Sequence, residues 1–244
     1  ADIEYLLGRE DEADHQASLV LHADPASASA HNLRTRIAMD RENWSLASLY
    51  AQTYLFYHPL DIEGWTMLGE IRRGEGNPDL ALQALSRAIV ISENTPQGLP
   101  VEAYVERADL YASQGRLNLA LADITTAAET TDEPNLRVRQ MELAYQVEDY
   151  ELTRQLLESL QESGDVRIAT LDYMEARLLA NAGPPTNEDF QEIARLVDNS
   201  IGSLDSDEQP FANALRARAY YETGDPNTAL AHINSALNAV PDPS

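Results

Sequence analysis

Residues 101–130 read VEAYVERADLYASQGRLNLALADITTAAET, and residues 210–239 read PFANALRARAYYETGDPNTALAHINSALNA. Laid over one another, the two stretches match at Ala108 and Ala217, Tyr111 and Tyr220, Gly115 and Gly224, Ala120 and Ala229, Ile124 and Ile233, and Ala127 and Ala236. Each predicts a helix, a short turn at the glycine, and a second helix whose small residues recur every seven positions. Residues seven apart share one face of a helix. Small side chains on that face let a neighbouring helix approach closely while larger ones fill the gaps between.

The same template recurs along the chain. From Ile62 it gives Trp65, Leu68 and Gly69, then Gly76, Ala81, Leu85 and Ala88. From Ala28 it gives Thr35, Ala38, Ala47, Ala51, Tyr54 and Pro59, with Trp44 at a further aromatic position. From Pro134 it gives Met141, Ala144, Tyr150, Thr153, Leu157 and Leu160. From about Ala169 it gives Ala176, Leu179 and Gly183, after which Pro184 to Asn187 read as an insertion. Gly8, Ala13, Ala17, Val20 and Pro25 match only the later part of a unit.

This succession resembles the tetratricopeptide repeat family. The resemblance covers nearly all 244 residues as one array over 1–244, with a partial unit over 1–27 and units starting near 28, 62, 101, 134, 169 and 210. It implies an all-α fold in which antiparallel helix pairs stack into a right-handed superhelix, the first helices lining a concave groove. The alternative is an irregular helical domain with accidental alanine spacing. Trp44, Trp65, Tyr111 and Tyr220 are expected to be plugs between helices, since their offsets are those of packing residues in the resembling family.

Capping residues support the boundaries independently. Asn77-Pro78 and Asp225-Pro226 place a side-chain acceptor before a proline suited to the first helical turn, and Asn43 and Asp149 hold the same offset. Gly115 and Gly224 are expected in the left-handed conformation that ends a helix. Pro25, Pro59 and Pro241 stand where second helices should stop. Residues 94–100 and 202–210 are expected to be loops.

Composition excludes several chemistries. The chain has 41 acidic residues against 17 basic ones, a formal net charge of −24 and no cysteine. Every basic residue is arginine, so there is no Walker lysine, Schiff-base lysine or Ser-x-x-Lys nucleophile. Without cysteine there is no disulfide, thiolate metal site or thiol catalysis. An acidic chain without a basic tract is a poor ligand for nucleic acid or an anionic membrane surface. The run Glu10-Asp11-Glu12 suits the positive end of a helix dipole. Asp205, Asp207 and Glu208 lack the glycine and distal glutamate of a calcium loop and read as a solvated acidic loop. His15, His22, His31, His58 and His232 form no pair on one helix turn. No catalytic residue, metal or cofactor is expected.

The resemblance implies three rows of groove-facing residues. One holds Asn32, Thr66, Val105, Val138, Tyr173 and Ala214; the next Arg36, Glu70, Asp109, Glu142, Arg177 and Arg218; the third Met39, Arg73, Ala112, Tyr145, Ala180 and Tyr221. Arginines flank an acidic middle of Glu70, Asp109 and Glu142. Guanidinium groups bind carboxylates bidentately, so the ends are expected to grip acidic groups and the middle a basic one. The alternative use of these arginines is pairing with glutamates on neighbouring helices. The family's chaperone-tail clamp of lysine, asparagine and arginine is not matched.

The function this implies is a non-enzymatic scaffold or adaptor that binds another protein or peptide through the groove, as a subunit or assembly factor of a larger complex. The alternative is an enzyme using groove carboxylates as acid and base, which an open groove disfavours for want of desolvation. The partner's identity and the oligomeric state are left open. The alanine start and the half-repeat beginning point to a removed or unseen preceding segment and an extracytoplasmic bacterial location. The absence of lysine together with the acidity fits either a saline environment or coding bias.

Overall fold

The computed structural model describes residues 2–96 and 98–239. Among these there are fourteen α-helices, one short 3-10 turn and no strand. The helices form pairs: α1 (Asp2–Leu6) with α2 (Glu10–Ala23), α3 (Ala28–Asp40) with α4 (Trp44–Tyr57), α5 (Ile62–Gly74) with α6 (Pro78–Glu93), and α7 (Val101–Ser113) with α8 (Leu117–Thr130). The later pairs are α9 (Pro134–Gln146) with α10 (Tyr150–Ser163), α11 (Ile168–Asn181) with α12 (Asn187–Ser200), and α13 (Gln209–Glu222) with α14 (Pro226–Ala239). No helix is long and apolar enough to cross a membrane. The chain divides into two compact units, Ala1–Asp132 and Glu133–Ser244.

Six of the seven pairs share one turn. A residue with positive φ stands two positions before the start of the second helix: Gly8, Glu42, Gly76, Gly115, Glu148 and Gly224. The next residue donates its backbone N–H to a carbonyl five positions back. Asn43 reaches Ala38, Asn77 reaches Arg72, Arg116 reaches Tyr111, Asp149 reaches Ala144 and Asp225 reaches Tyr220, all at 2.8–2.9 Å. This left-handed closure satisfies carbonyls that a helix end leaves orphaned. Glutamate holds the strained position in two turns where glycine was the expected signal. The seventh pair, α11 and α12, replaces this turn with the Pro184 insertion, and α12 starts on a capping box between Thr186 and Asp189.

Side-chain caps follow the sequence at Asn43, Asp149 and Asp225, which accept from Leu46, Leu152 and Thr228 at 3.1–3.2 Å. Asn77 is a correction: it stands at the N-cap but makes no capping bond, its amide facing Glu75 instead. Residues 202–210 are a second one, because Ile201–Ser203 form a 3-10 turn and α13 already begins at Gln209, with Pro210 in its first turn. Pro25 and Pro59 follow α2 and α4, whereas Pro241 lies outside the described residues.

Small residues let the helices cross closely. Ala108, Ala120, Ala127, Ala217 and Ala229 are buried. A Cβ added to Gly69 on α5 would stand 2.6 Å from the buried Leu85 side chain on α6. In the first unit, Ala38, Ala47, Ala51, Tyr54, Leu55, Leu68, Ile71 and Ala84 form one core cluster, with Trp65 packed against it. In the second, Tyr173, Phe190, Ile193, Leu196, Val197 and Ala212 anchor another, with Tyr220 against it. Trp44, Trp65, Tyr111 and Tyr220 are all half-buried, as expected of plugs between helices.

Three arginines share one repeat position and serve the fold. Arg107 grips the buried Asp123 through two bonds of 2.7 and 2.8 Å. Arg34 donates to Asp14 at 2.7 Å, and Arg216 to Asp198 at 2.7 Å.

Candidate functional site

The first-helix face of the first unit carries Asn32, Arg36 and Met39 on α3, Glu70 and Arg73 on α5, and Asp109 on α7. Its two arginines already have partners. Arg36 donates to Glu63 at 2.9 Å, tying α3 to α5, and Arg73 lies 3.1 Å from Glu106, tying α5 to α7. Asn32 adds a long 3.4 Å contact to the same Glu63 oxygen. Met39 is half-buried against the core cluster of α4 and α5. Burial pushes the Glu70 carboxyl above its ordinary range; the charge of Glu102 adds to this, and Arg73 opposes it. Asp109 is half-buried and Thr66 is buried, its hydroxyl donating to the Ile62 carbonyl.

The corresponding face of the second unit is built differently. Arg177 on α11 lies with its guanidinium 4.0 Å from the centre of the Tyr145 ring on α9 and 5.6 Å from that of Tyr173. Stacking of this kind holds the group flat through the ring quadrupole. Asn181 steadies the platform by donating to the Tyr145 hydroxyl at 2.7 Å. Tyr173 itself is buried in the core cluster, so it supports Arg177 from below instead of presenting a surface. Arg218 lies 5.5 Å over Phe190. Among the described residues, neither Arg177 nor Arg218 makes an ion pair, and Tyr221 is exposed.

Beside this platform is a cleft of about 450 Å³, lined by Val138, Glu142, Arg167, Asp205, Asp207 and Glu208 among others. Burial raises the Glu142 carboxyl above its ordinary range, Glu208 adds to the rise, and Arg177 and Arg139 oppose it. The cleft therefore carries more carboxylates than its one guanidinium, Arg167, and the stacked Arg177 acts on it through Glu142. Among the described residues no three histidine or carboxylate side chains converge on a point that could hold a metal ion.

The structure thus brings Glu142, Tyr145, Tyr173 and Arg177 together and leaves Arg218 and Tyr221 on α13. Sequence reasoning did not single out Glu63, Glu106 and Asn181. The first two carry the only available signal, a glutamate on the next first helix, but the pairing depends on how far one helix is staggered past the other.

No protein-family profile matches the chain, and no curated protein matches it in sequence. Many solved structures match it in fold. One is the C-terminal part of a TPR repeat-containing protein from Cytophaga hutchinsonii, with a TM-score of 0.71 and 16% identity over 99% of this chain and 98% of that one. A second is a tetratricopeptide repeat protein from Parabacteroides merdae, with a TM-score of 0.66 and 18% identity over 88% of this chain and 80% of that one. A third is YrrB, described as a TPR protein with an unusual peptide-binding site, with a TM-score of 0.58 and 14% identity over 79% of this chain and 93% of that one.

Proposed function

Because the chain has the tetratricopeptide repeat fold, we propose that it is a non-enzymatic scaffold that binds a partner polypeptide, and that the first-helix face of its second unit is the docking surface. The observation that carries this reading is Arg177, stacked on Tyr145, without a carboxylate partner, beside an acid-lined cleft. An arginine fixed in orientation and not neutralised has its hydrogen-bonding edge available for a carboxylate or carbonyl of a ligand. The cleft carboxylates suit a basic side chain one step along the same ligand. The partner segment is therefore one that carries both signs of charge in close succession. The likeness in fold to YrrB, itself a protein with a peptide-binding site, supports a peptide ligand.

The enzymatic alternative has less support. Glu70 and Glu142 are carboxylates of the two faces that burial pushes above their ordinary range, and they stand in separate units. A role as subunit or assembly factor of a larger complex follows from the scaffold reading. The test is affinity capture with the 244-residue chain as bait. Reversing Arg177 and Arg218 to glutamate should abolish recovery of the partner, while reversing Arg36 should leave it. Equal recovery by all baits would sink the placement.

A further inference from the structure

The outward strips of the second helices differ between the two units. Leu49, Gln52 and Phe56 lie on one side of α4 at helical spacing, opposite Ala47, Ala51, Tyr54 and Leu55, which are buried in the core. Leu49 is 57% and Phe56 79% exposed, with Tyr57 and Leu60 exposed beside them. The Phe56 ring stands edge-on to Tyr57, with 5.2 Å between their centres. Neighbouring second helices continue the pattern, with Leu19 exposed on α2 and Leu80 and Val90 on α6. On α10 and α12, by contrast, no large apolar side chain is exposed, and Glu151, Glu158, Glu162, Glu188 and Asp198 stand on the outside.

The α4 strip is not a face on which repeats stack. α4 meets its own pair and the next through the buried side: Ala47, Ala51, Tyr54 and Leu55 cluster with Ala38 of α3 and with Leu68 and Ile71 of α5, and a Cβ added to Gly64 of α5 would stand 2.7 Å from Tyr54. A further repeat at either end of the array would therefore leave Leu49 and Phe56 uncovered. The strip is also free of charge in a chain of net charge −24, since α4 has no Asp, Glu or Arg in its fourteen residues. Beside it, no acidic residue follows Asp14 on α2, and on α6 Asp79 and Glu93 stand at the two ends of the helix.

We infer that the chain pairs with a second copy of itself through this face, α4 against α4 about a two-fold axis. In a symmetric contact each residue near the axis meets its own counterpart, so an acidic chain closes one only where it carries no carboxylate. Charge separates this occupant from the others. A partner with charged contact residues finds no opposite charge on α4. An anionic lipid surface finds no basic side chain on it. The matching surface is a second uncharged apolar strip, and the same strip of another copy supplies it. Antiparallel packing about Gln52 sets Leu49 of one copy on Phe56 of the other. The Gln52 amide already donates to the Ser48 carbonyl at 3.0 Å and hydroxyl at 2.8 Å, so a dry axis does not strand its donor. A stable interface takes about 800 Å² from each copy, more than one helix strip offers, so Leu19 and Leu80 join at the margins.

The test is sedimentation equilibrium of the 244-residue chain over a concentration series in about 1 M salt, where a Debye length of about 3 Å removes most of the repulsion between copies. Wild type should reach the mass of a dimer and go no further. Phe56→Glu and Leu49→Glu should each lower the association constant by about tenfold or more. Circular dichroism checks the fold of each variant, and Phe56→Ser or Leu49→Ser replaces one that loses its helical signal. Because the chain has no cysteine, a single introduced one reports the axis without background. Oxidised Gln52→Cys should form a disulfide-linked dimer, and Gln155→Cys, exposed on α10, should not. A wild type that stays monomeric would overturn the proposal, and one that is monomeric yet co-sediments with phosphatidylcholine vesicles would assign the strip to lipid instead. Growth beyond the dimer, a dimer unmoved by either glutamate, or equal cross-linking at Gln52→Cys and Gln155→Cys would overturn it as well.

Discussion

The first-helix faces of the two units start from the same repeat positions and end with opposite electrostatics. In the first unit Arg36 and Arg73 are neutralised by Glu63 and Glu106 on the next first helix. In the second, Arg177 and Arg218 lie over Tyr145 and Phe190 and keep their hydrogen-bonding edges free. The difference comes from the neighbour: a glutamate within reach turns an arginine into a rung between helices, whereas an aromatic ring orients the same group without an ion pair. Whether an arginine at such a position is paired is therefore set by what stands one helix away, not by the residue at the position itself.

The sharpest way to break this contrast is to change one arginine in each face. Arg177→Glu should weaken partner binding by about tenfold or more, the loss expected when a charge-assisted bond becomes a repulsion. Arg36→Glu should change binding by less than about twofold, within the noise of a rim contact. Isothermal titration with the captured partner measures both, and equal losses would erase the distinction.

Next come the structural arginines that share a repeat position. Arg107→Ala strands Asp123, which is nearly buried, and should cost about 3–5 kcal/mol in urea unfolding. Arg216→Ala leaves Asp198 more open to water and still bonded by Tyr220, so about 1.5–3 kcal/mol is expected. The reverse order would show that burial of the carboxylate is not what separates them. A smaller gain is expected at the strained turns, where Glu42→Gly and Glu148→Gly should each raise stability by about 1 kcal/mol, and a loss at either would mean that the side chain contributes more than the positive φ costs.

The smallest effect is the pH dependence of the raised carboxyls. Burial favours protonated Glu142, so its contribution to stability is full at low pH and is lost as pH rises through its raised value. Glu142→Gln should therefore be more stable than wild type at pH 7, with the gap closing below about pH 4. Glu70→Gln should behave alike in the first unit. A gap that widens on acidification would reverse the assigned cause.

The helix pairs were legible because close helix crossings demand small residues at fixed spacing, and Ala108, Ala120, Ala127 and their counterparts supply it. The turns at Gly76, Gly115 and Gly224 were legible for the same kind of reason, since only glycine adopts positive φ without strain. Glu42 and Glu148 gave no such sign, because the tertiary fold imposes the conformation there. Residues 202–210 read as a loop although Pro210 sits in the first turn of α13, where a missing N–H costs nothing. The site was less readable than the fold. A groove position names a helix face, but whether Arg36 meets Glu63 or Arg177 meets Tyr145 depends on the stagger between helices, and the burial of Tyr173 depends on α12 and α13 together.

With no lysine in the chain, carboxyl-directed cross-linking reads out the docking face directly. The chain is mixed with the captured partner, cross-linked, digested and mapped by mass spectrometry. The account predicts cross-links at Glu142, Asp205, Asp207 and Glu208 of the second unit. Cross-links concentrated instead at Glu63, Glu70, Glu102 and Glu106 of the first unit would contradict it.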